Sequence, residues 1–486
     1  MTATLERPTD PRPAGDRLDR LPPTDHMTAR TGLEKLATYP FVVLTWVGDD
    51  GFPVSVASEA RVDAEGGSVS FDPPGGLAVP TDRDVSVTGS HIRPQPGYGY
   101  DERRHVTVWG RVTTSHDGEL TLAGASAWGW DEAEVPFFEY SERNVARART
   151  YFDALSAERG TPVRPKLSFG FLTLRATRLP FLSATVIPTL LGVLVAAVAA
   201  PVDLWLALIT VVGGSLVHLG LNVANDVFDT TQGADELNVT PTQYSGGSRV
   251  IQYGLVSIRR MALISAAFYA GAVAIGLYLL ATVPSAALLV IGVAGIVVSI
   301  GYTAPPLKLV YRGLGEIAVA AGFGPLMVLG AYVVQTGGTL AWEPFVASVP
   351  VAILVALILY ANEIPDRRSD AKAGKRTLPV RWSKEAVIHW YGASVVAAFG
   401  IVPVGIVLGI LPWPTIIALA GIPLARKVYR GLWQTYDQPY VLMGYLGTNV
   451  RLHMTVGALL IVAYLAVVAV GALVADVPMY LSLLGG

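Results

Sequence analysis

Residues 204–235 read LWLALITVVGGSLVHLGLNVANDVFDTTQGAD, an uncharged apolar run from Leu204 to Ala224 that passes directly into an acidic segment. About 20 apolar residues suffice for a helix to cross a hydrocarbon layer of about 30 Å. The run is therefore predicted to span a membrane and to carry oxygen-bearing side chains at its watery end. Asn222 and Asp226 are four apart and Asp226 and Asp229 three apart. A helix continued through them presents all three on one face.

The same construction recurs. Phe345 to Ala361 is apolar and leads into Asn362-Glu-Ile-Pro-Asp366-Arg-Arg-Ser-Asp370-Ala-Lys372-Ala-Gly-Lys375-Arg376. Asp366 and Asp370 are again four apart, although Pro365 is expected to kink or end the helix just before them. One acidic helix end is commonly a solvated cap, but two of one design at one membrane level argue for a shared site. Mg²⁺ prefers carboxylate oxygens and bridges them to substrate phosphates while keeping several waters. Asn222, Asp226, Asp229, Asp366 and Asp370 are thus the expected ligands of two ions, and the four aspartates the expected catalytic groups. Neutralising a departing diphosphate lets an allylic C–O bond ionise towards a carbocation that an electron-rich acceptor captures. Arg249, Lys308, Lys372, Lys375 and Arg376 are candidates for direct contacts to phosphate oxygens, although basic cytoplasmic loops also set topology in any polytopic protein.

Outward from these two segments, the part after Arg178 holds roughly nine apolar stretches near spanning length: Leu179 to Ala200, Leu204 to Ala224, Met261 to Ala281, Ala286 to Gly301, Leu314 to Val334, Phe345 to Ala361, Val387 to Leu408, Ile410 to Leu424 and Met454 to Val474. The loops Asn225 to Arg260, Tyr302 to Gly313, Asn362 to Lys384 and Arg426 to Arg451 hold the lysines and arginines, and the alternate loops hold none. The positive-inside rule makes the first set cytoplasmic, so the lipid bilayer of the cell membrane is a partner and the N-terminal part is expected in the cytoplasm. Composition agrees: of 486 residues 52% are hydrophobic and only 15% charged, against roughly a quarter charged in soluble proteins. With 36 basic and 38 acidic residues the net charge is −2, which gives no overall basic field for nucleic acid. The absence of cysteine excludes thiolate chemistry and disulfides.

Before Arg178 the pattern changes. Residues 1–27 are rich in Pro, Asp and Arg without an apolar stretch and are expected to be a disordered tail. Phe41 to Val47, Val54 to Ala57, Ser68 to Phe71, His105 to Thr113 and Leu120 to Leu122 are strand-like runs, punctuated by Asp50-Gly51, Gly66-Gly67 and Asp117-Gly118 at hairpin turns. This predicts a small antiparallel barrel or sandwich over residues 28–160, with Ser141 to Arg159 as a closing helix, a linker over 161–178 and a transmembrane domain over 179–480. The fold class is an all-α polytopic membrane bundle preceded by a small cytoplasmic β-barrel domain.

Asn222 to Asp235 and Asp366 to Asp370 resemble the two aspartate motifs of the UbiA superfamily of intramembrane prenyltransferases. Tyr302-Thr-Ala-Pro-Pro-Leu-Lys308-Leu-Val-Tyr311-Arg312-Gly-Leu-Gly-Glu316 resembles a third characteristic segment, as does Gly374-Lys375-Arg376-Thr377-Leu378 the tail of the second motif. The resemblance covers about Pro180 to Val474. It implies nine helices around a cavity open to lipid, two Mg²⁺ ions and a polyprenyl diphosphate between the motifs, with Lys308 on the diphosphate and Tyr302 towards a small aromatic acceptor. The form of the first motif and Arg312-Gly-Leu-Gly-Glu316 are most similar to the branch that prenylates 1,4-dihydroxy-2-naphthoate in menaquinone synthesis. Asn362-Glu363-Ile364-Pro365-Asp366 departs from that branch's usual entry, which leaves hydroxybenzoate-like rings and lipid alcohols open as acceptors. The N-terminal part is faintly similar to the split barrel of the pyridoxamine phosphate oxidase group, Gly51-Phe-Pro53 included. No motif there supports a flavin, and His105, Trp109, Trp128 and Trp130 read as strand and packing residues. A transporter is the rival for the bundle and a membrane-anchored flavin-dependent reductase the rival for the barrel. A transporter predicts acidic groups deep in the spans, whereas these lie at their cytoplasmic ends.

Overall fold

The computed structural model describes residues 26–48, 52–72, 77–95, 99–114, 118–135, 156–163, 175–238 and 244–473, with shorter pieces at 75, 137, 140–141, 144–145, 152–153, 168, 170 and 242. The tail up to residue 25, the Asp50-Gly51 turn, Asp117 and most of the helix expected over Ser141 to Arg159 lie outside these residues. The chain separates into two compact units, residues 1–148 and 149–486.

The first unit contains an eight-stranded antiparallel sheet and, ahead of its second strand, the helix α1 (Ala29–Leu36). Its strands are β1 (His26–Met27), β2 (Val42–Val47), β3 (Pro53–Ser58), β4 (Ala60–Asp63), β5 (Ser68–Phe71), β6 (Asp84–Gln95), β7 (Gly99–Thr114) and β8 (Leu120–Asp131). They run in the order β3-β2-β6-β7-β8-β5-β4, with β1 beside β8. β3 and β4 stand at opposite ends of that order, yet only Glu59 separates them in the chain. One intervening residue reaches no more than about 7 Å, so the sheet curls until its edges approach, and of the two expected architectures it takes the barrel. Val42, Leu44 and Trp46 alternate inward on β2, Val85 and Val87 on β6, and Val106 and Val108 on β7, the period-two burial of a sheet with one dry face. An irregularity at Trp109/Gly110 offsets β8 by one residue, which is why Leu120 and Leu122 point inward before it and Ala127 after it. Met27, read from sequence as tail, is the end of β1. On the other face His105 packs edge-on to Trp128, at 5.4 Å between ring centres, and beside Trp130. Burial keeps the His105 imidazole's proton affinity below its ordinary value, as suits a packing residue.

The second unit is helical. α2 (Ser183–Ala197), α3 (Leu204–Thr231), α4 (Ile258–Thr282), α5 (Ala286–Thr303), α6 (Gly315–Gln335), α7 (Trp342–Lys372), α8 (Lys384–Val407), α9 (Ile422–Thr435) and α10 (Pro439–Leu473) follow in order. Seven of them, all but α2 and α9, are long and apolar enough to cross a membrane. The stretch expected at Ile410 to Leu424 instead forms a 3₁₀ segment, Trp413–Gly421, leading into α9. α7 is the hub: 67% of its apolar window is buried, against 17% for α4 and 22% for α5, whose outward leucines and valines are left for lipid. Polar ties lock the hub, because lipid offers no competing hydrogen bonds. Asn449 of α10 donates to the Leu357 carbonyl and accepts from the Tyr391 hydroxyl of α8, both at 2.8 Å. The Tyr360 hydroxyl donates to the Val387 carbonyl at 2.9 Å.

Pro365 does not end α7, one of the two outcomes expected of it: the helix runs on to Lys372. Ile364 and Pro365 are buried, and Arg367 Nη1 donates to the Ile364 carbonyl at 2.8 Å, so tertiary packing outweighs the one backbone bond that proline removes. In α6, residues Gly322–Leu326 form a π turn around Pro325, a local widening that often marks functional positions.

Gly192 shows how tightly α2 and α6 meet, since a Cβ there would stand 2.3 Å from the Val328 carbonyl oxygen. Gly192→Val must separate the two helices. The expected cost of such overpacking is about 1–3 kcal/mol, read as a lower thermal midpoint of the detergent-solubilised protein; an unchanged midpoint refutes this contact.

Candidate active site

α3 and α7 both run past their apolar lengths, and this carries their acidic ends to one cavity of about 200 Å³. Asn222 and Asp229 of α3, Asp235 just beyond it, and Glu363, Asp366 and Asp370 of α7 line the cavity with Lys375 and Tyr302. Lys375 is its electrostatic centre. Its ammonium donates to Asp229 Oδ2 at 2.8 Å and lies 3.8 Å from Asp370 Oδ1, so one cation joins the two helix ends. Burial works against charge on Lys375, but Asp229 and Asp370 outweigh it and hold the ammonium charged well above the ordinary lysine range.

Each carboxylate has its own holder. Asp229 also accepts from the Tyr311 hydroxyl at 2.9 Å and from Asn225 Nδ2 at 3.0 Å. Asp366 accepts from Asn238 Nδ2 and from the Gly246 backbone N–H, both at 2.9 Å. Asp226 accepts from Arg178 Nη2 at 2.9 Å and the Ser248 N–H at 3.3 Å; it lies outside the cavity lining, one turn before Asp229, and its Oδ2 is buried with no hydrogen-bond partner among the described residues. Burial raises the Asp235 carboxyl well above the usual carboxylate range, and the charges of Asp229 and Asp226 push the same way.

The remaining sequence-named residues are placed differently. Arg249 is 2% exposed, and its guanidinium donates to the Asp235 backbone carbonyl, bracing the loop after α3. Lys308 sits 5.5 Å from the Tyr311 ring centre. Lys372 and Arg376 are exposed, and the Arg376 N–H donates to the Tyr311 carbonyl at 3.0 Å. None of these four lines the cavity. Sequence reasoning did not single out Arg178, Asn225, Asn238, Tyr311 or Glu363. Asn225, Tyr311 and Glu363 stood inside quoted motifs without a role of their own; Arg178 and Asn238 gave no local signal.

A second cavity of about 450 Å³, walled by α3, α4, α5 and α6, is almost wholly apolar. It shares His218, Leu221, Tyr302, Val319 and Phe323 with the first. At that junction His218 Nδ1 is hydrogen-bonded to the Thr185 hydroxyl at 2.8 Å and its ring packs edge-on to Phe323. An acidic, lysine-bearing head space thus opens into a hydrocarbon trough, a shape for a molecule with a charged head and a long apolar tail.

A membrane bundle with such a two-part cavity defines the class of intramembrane enzyme that handles amphiphilic substrates. Residues 185–446 match the UbiA prenyltransferase family, more than half of the chain, and the protein belongs to that family; it is an integral-membrane prenyltransferase. The 1,4-dihydroxy-2-naphthoate octaprenyltransferase of Bacillus subtilis is 29% identical over 279 residues, covering 57% of this chain and 86% of that one. The 2-carboxy-1,4-naphthoquinone phytyltransferase of Synechocystis is 30% identical over 246 residues, covering 50% and 76%. Among solved structures, a UbiA homolog from Archaeoglobus fulgidus bound to GPP and Mg²⁺ is 16% identical with a TM-score of 0.44, covering 61% of this chain and 99% of that one.

Lys375→Met would leave Asp229 and Asp370 facing each other without a cation. Removing one partner of a buried pair costs about 3–5 kcal/mol. The thermal midpoint should fall in metal-free buffer, and added Mg²⁺ should recover more of it in this variant than in the wild type. Equal responses would show that the lysine does not occupy cation space.

Proposed function

We propose that the chain transfers a polyprenyl group from its diphosphate to 1,4-dihydroxy-2-naphthoate, with Mg²⁺, in menaquinone biosynthesis. The observation that carries this reading is the continuity of the two cavities, one acidic and one apolar, through His218, Tyr302 and Phe323. The names of the Bacillus and Synechocystis relatives, both naphthoate-type prenyltransferases, support the acceptor.

The donor set fits hard divalent cations. It consists of carboxylate and amide oxygens, one of which, Asp226 Oδ2, is buried and unpartnered among the described residues, and Lys375 already places a positive charge between the two helix ends. Mg²⁺ is commonly held by one or two carboxylates and completed by substrate phosphate and water, and each helix end supplies that number. Asn222, Asp226 and Asp229 would hold one ion and Asp366 and Asp370 the other. Bound Mg²⁺ would neutralise charge on the departing diphosphate. Lys375 is placed to exchange its contact with Asp229 for a phosphate oxygen. Asp229 and Asp366, fixed by Tyr311, Asn225, Asn238 and Gly246, keep their positions while the ligand enters, so little reorganisation is needed during ionisation. The apolar trough takes the prenyl tail and sets C1 near the junction, where Tyr302 and Phe323 limit water around the forming allylic cation. The positive-inside argument puts the acidic mouth, and the N-terminal barrel, in the cytoplasm.

Membranes containing the protein, given Mg²⁺, a polyprenyl diphosphate and a panel of hydroxylated aromatic acids, should yield a prenylated naphthoate product by mass. Asp229→Ala and Asp370→Ala should lower turnover by about 100-fold or more, and chelation should abolish it. Full turnover in both variants would remove the site assignment, and turnover only with another ring would replace the acceptor.

A further inference from the structure

Glu363 lies one helical turn before Asp366 on α7, about 4.5 Å further from the helix end, and lines the polar cavity together with Tyr302. It is 6% exposed, and neither carboxylate oxygen has a hydrogen-bond partner among the described residues. Three nearby aspartates each have at least one donor: Asp226 has Arg178, Asp229 has Lys375 and Tyr311, and Asp366 has Asn238 and Gly246. The group packed against Glu363 is another acid, Glu316 on the first turn of α6, near enough for the two carboxyls to share a hydrogen bond when one carries a proton; Glu316 Oε1 is also buried, with no donor among the described residues. Lys375 and Asp370 are the other charges that act on it. Leaving a buried acceptor unsatisfied costs about 1–3 kcal/mol, more for a charged group, and the fold gains nothing in return here. Carboxylate oxygens without a donor, on a residue that lines a cavity, mark a place where a ligand donor belongs.

We propose that Glu363, backed by Glu316, receives the hydroxyl group of the aromatic acceptor and takes its proton as the new carbon–carbon bond forms. This rests on the prenyl-transfer reading above. The ring carbon bonds to C1 of the prenyl group as the C1–O bond breaks, and that electron pair leaves with the diphosphate. The hydroxyl O–H breaks, its proton goes to a Glu363 carboxylate oxygen, and the ring becomes a neutral ketone. Loss of the substituent at the alkylated carbon restores the aromatic ring, a carboxylate leaving as CO₂ or a hydrogen leaving as a proton to the released diphosphate; in either case the bonding pair returns to the ring and Glu363 returns its proton to the ring oxygen. The placement separates labour within one cavity. The aspartates with Lys375 serve the diphosphate, while Glu363 and Tyr302, deeper and beside the junction, serve the acceptor. Tyr302, within electrostatic reach of both Glu363 and Glu316, lies on the acceptor side of this division.

Glu363→Gln keeps the shape and one hydrogen-bond acceptor but cannot take a proton, whereas Glu363→Ala removes both. In purified full-length protein, E363Q should lose about 10²–10⁴-fold in kcat with acceptor KM changed only a few-fold, and E363A should in addition bind dihydroxynaphthoate about tenfold or more weakly by calorimetry without prenyl diphosphate. Affinity for a non-hydrolysable prenyl diphosphate analogue should stay within about twofold in both, a result that a merely structural role or a misfolded variant would not give. Glu316→Gln serves as the second variant, expected to weaken the same step less. The O-methylated naphthoate should bind wild type and E363A equally. Wild-type kcat in E363Q, or a loss that falls on the prenyl diphosphate instead, overturns the proposal. If the wild type prenylates none of the rings but still binds dihydroxynaphthoate in a Glu363-dependent way, the transfer reading fails while the acceptor site stands. If it neither binds nor prenylates them, both fail.

Discussion

The Lys375 ammonium between Asp229 and Asp370 is the contact on which the site depends. Two acidic helix ends brought together in a partly dry cavity repel each other, and at low effective dielectric that repulsion amounts to several kcal/mol. A bundle cannot hold such ends together by apolar packing alone, because lipid is as apolar as the side chains it would replace. The chain answers with cations, buried Lys375 for Asp229 and Asp370 and part-exposed Arg178 for Asp226, and with hydrogen bonds from Tyr311, Asn225 and Asn238. The loop Gly374–Thr377 is in turn pinned by the Arg376 N–H on the Tyr311 carbonyl. Cation, tyrosine and acidic helix end therefore form one connected unit.

In the proposed reading, that unit fixes where the substrate's polar and apolar halves part. The α3 end supplies Asn222 and Asp229 to the head space, while the preceding turns of the same helix supply His218, Val217 and Gly214 to the trough. α6 contributes Phe323 from its π turn to both. Head and tail compartments are thus built on shared helices, so shifting α3 or α6 moves both together. An allylic substrate benefits, because the bond that breaks lies at the boundary between its charged and hydrocarbon parts.

The sequence made this architecture legible where the signal was local and periodic. Apolar length located the helices, the three- and four-residue spacings located the acidic faces, and period-two alternation located β2, β5 and the middle of β7. β6 was missed, since Gly89 and Pro94 interrupt its alternation, and the full length of β8 was missed because its irregularity at Gly124–Ser126 breaks the parity after Leu122. Of the two outcomes expected at Pro365, ending the helix does not occur, because proline's preference to end helices is a local tendency that α7's packing overrides. The partners of the aspartates were beyond reach for a different reason. Lys375 meets Asp229 across 146 residues, Arg178 meets Asp226 across 48 and Asn238 meets Asp366 across 128, and no spacing rule connects such positions. Hence the basic residues near the motifs could be nominated only as a group, from which the structure brings Lys375 into the cavity and leaves Arg249, Lys308, Lys372 and Arg376 outside its lining.

The depth of the carboxylates bears on the rival reading of the bundle as a transporter. Transport sites lie near the bilayer midplane, often at broken helices. Here α3 and α7 are continuous through their acidic ends, and Asp366 and Asp370 lie in the last two turns of a 31-residue helix. Glu363, one turn further in, is the deepest of the acidic groups on α7 and the one without a counter-charge of its own. Carboxylates graded along one helix in this way, countered by cations at the mouth and bare towards the junction, suit a pocket that first grips a charged head and then deprotonates a partner beside its tail.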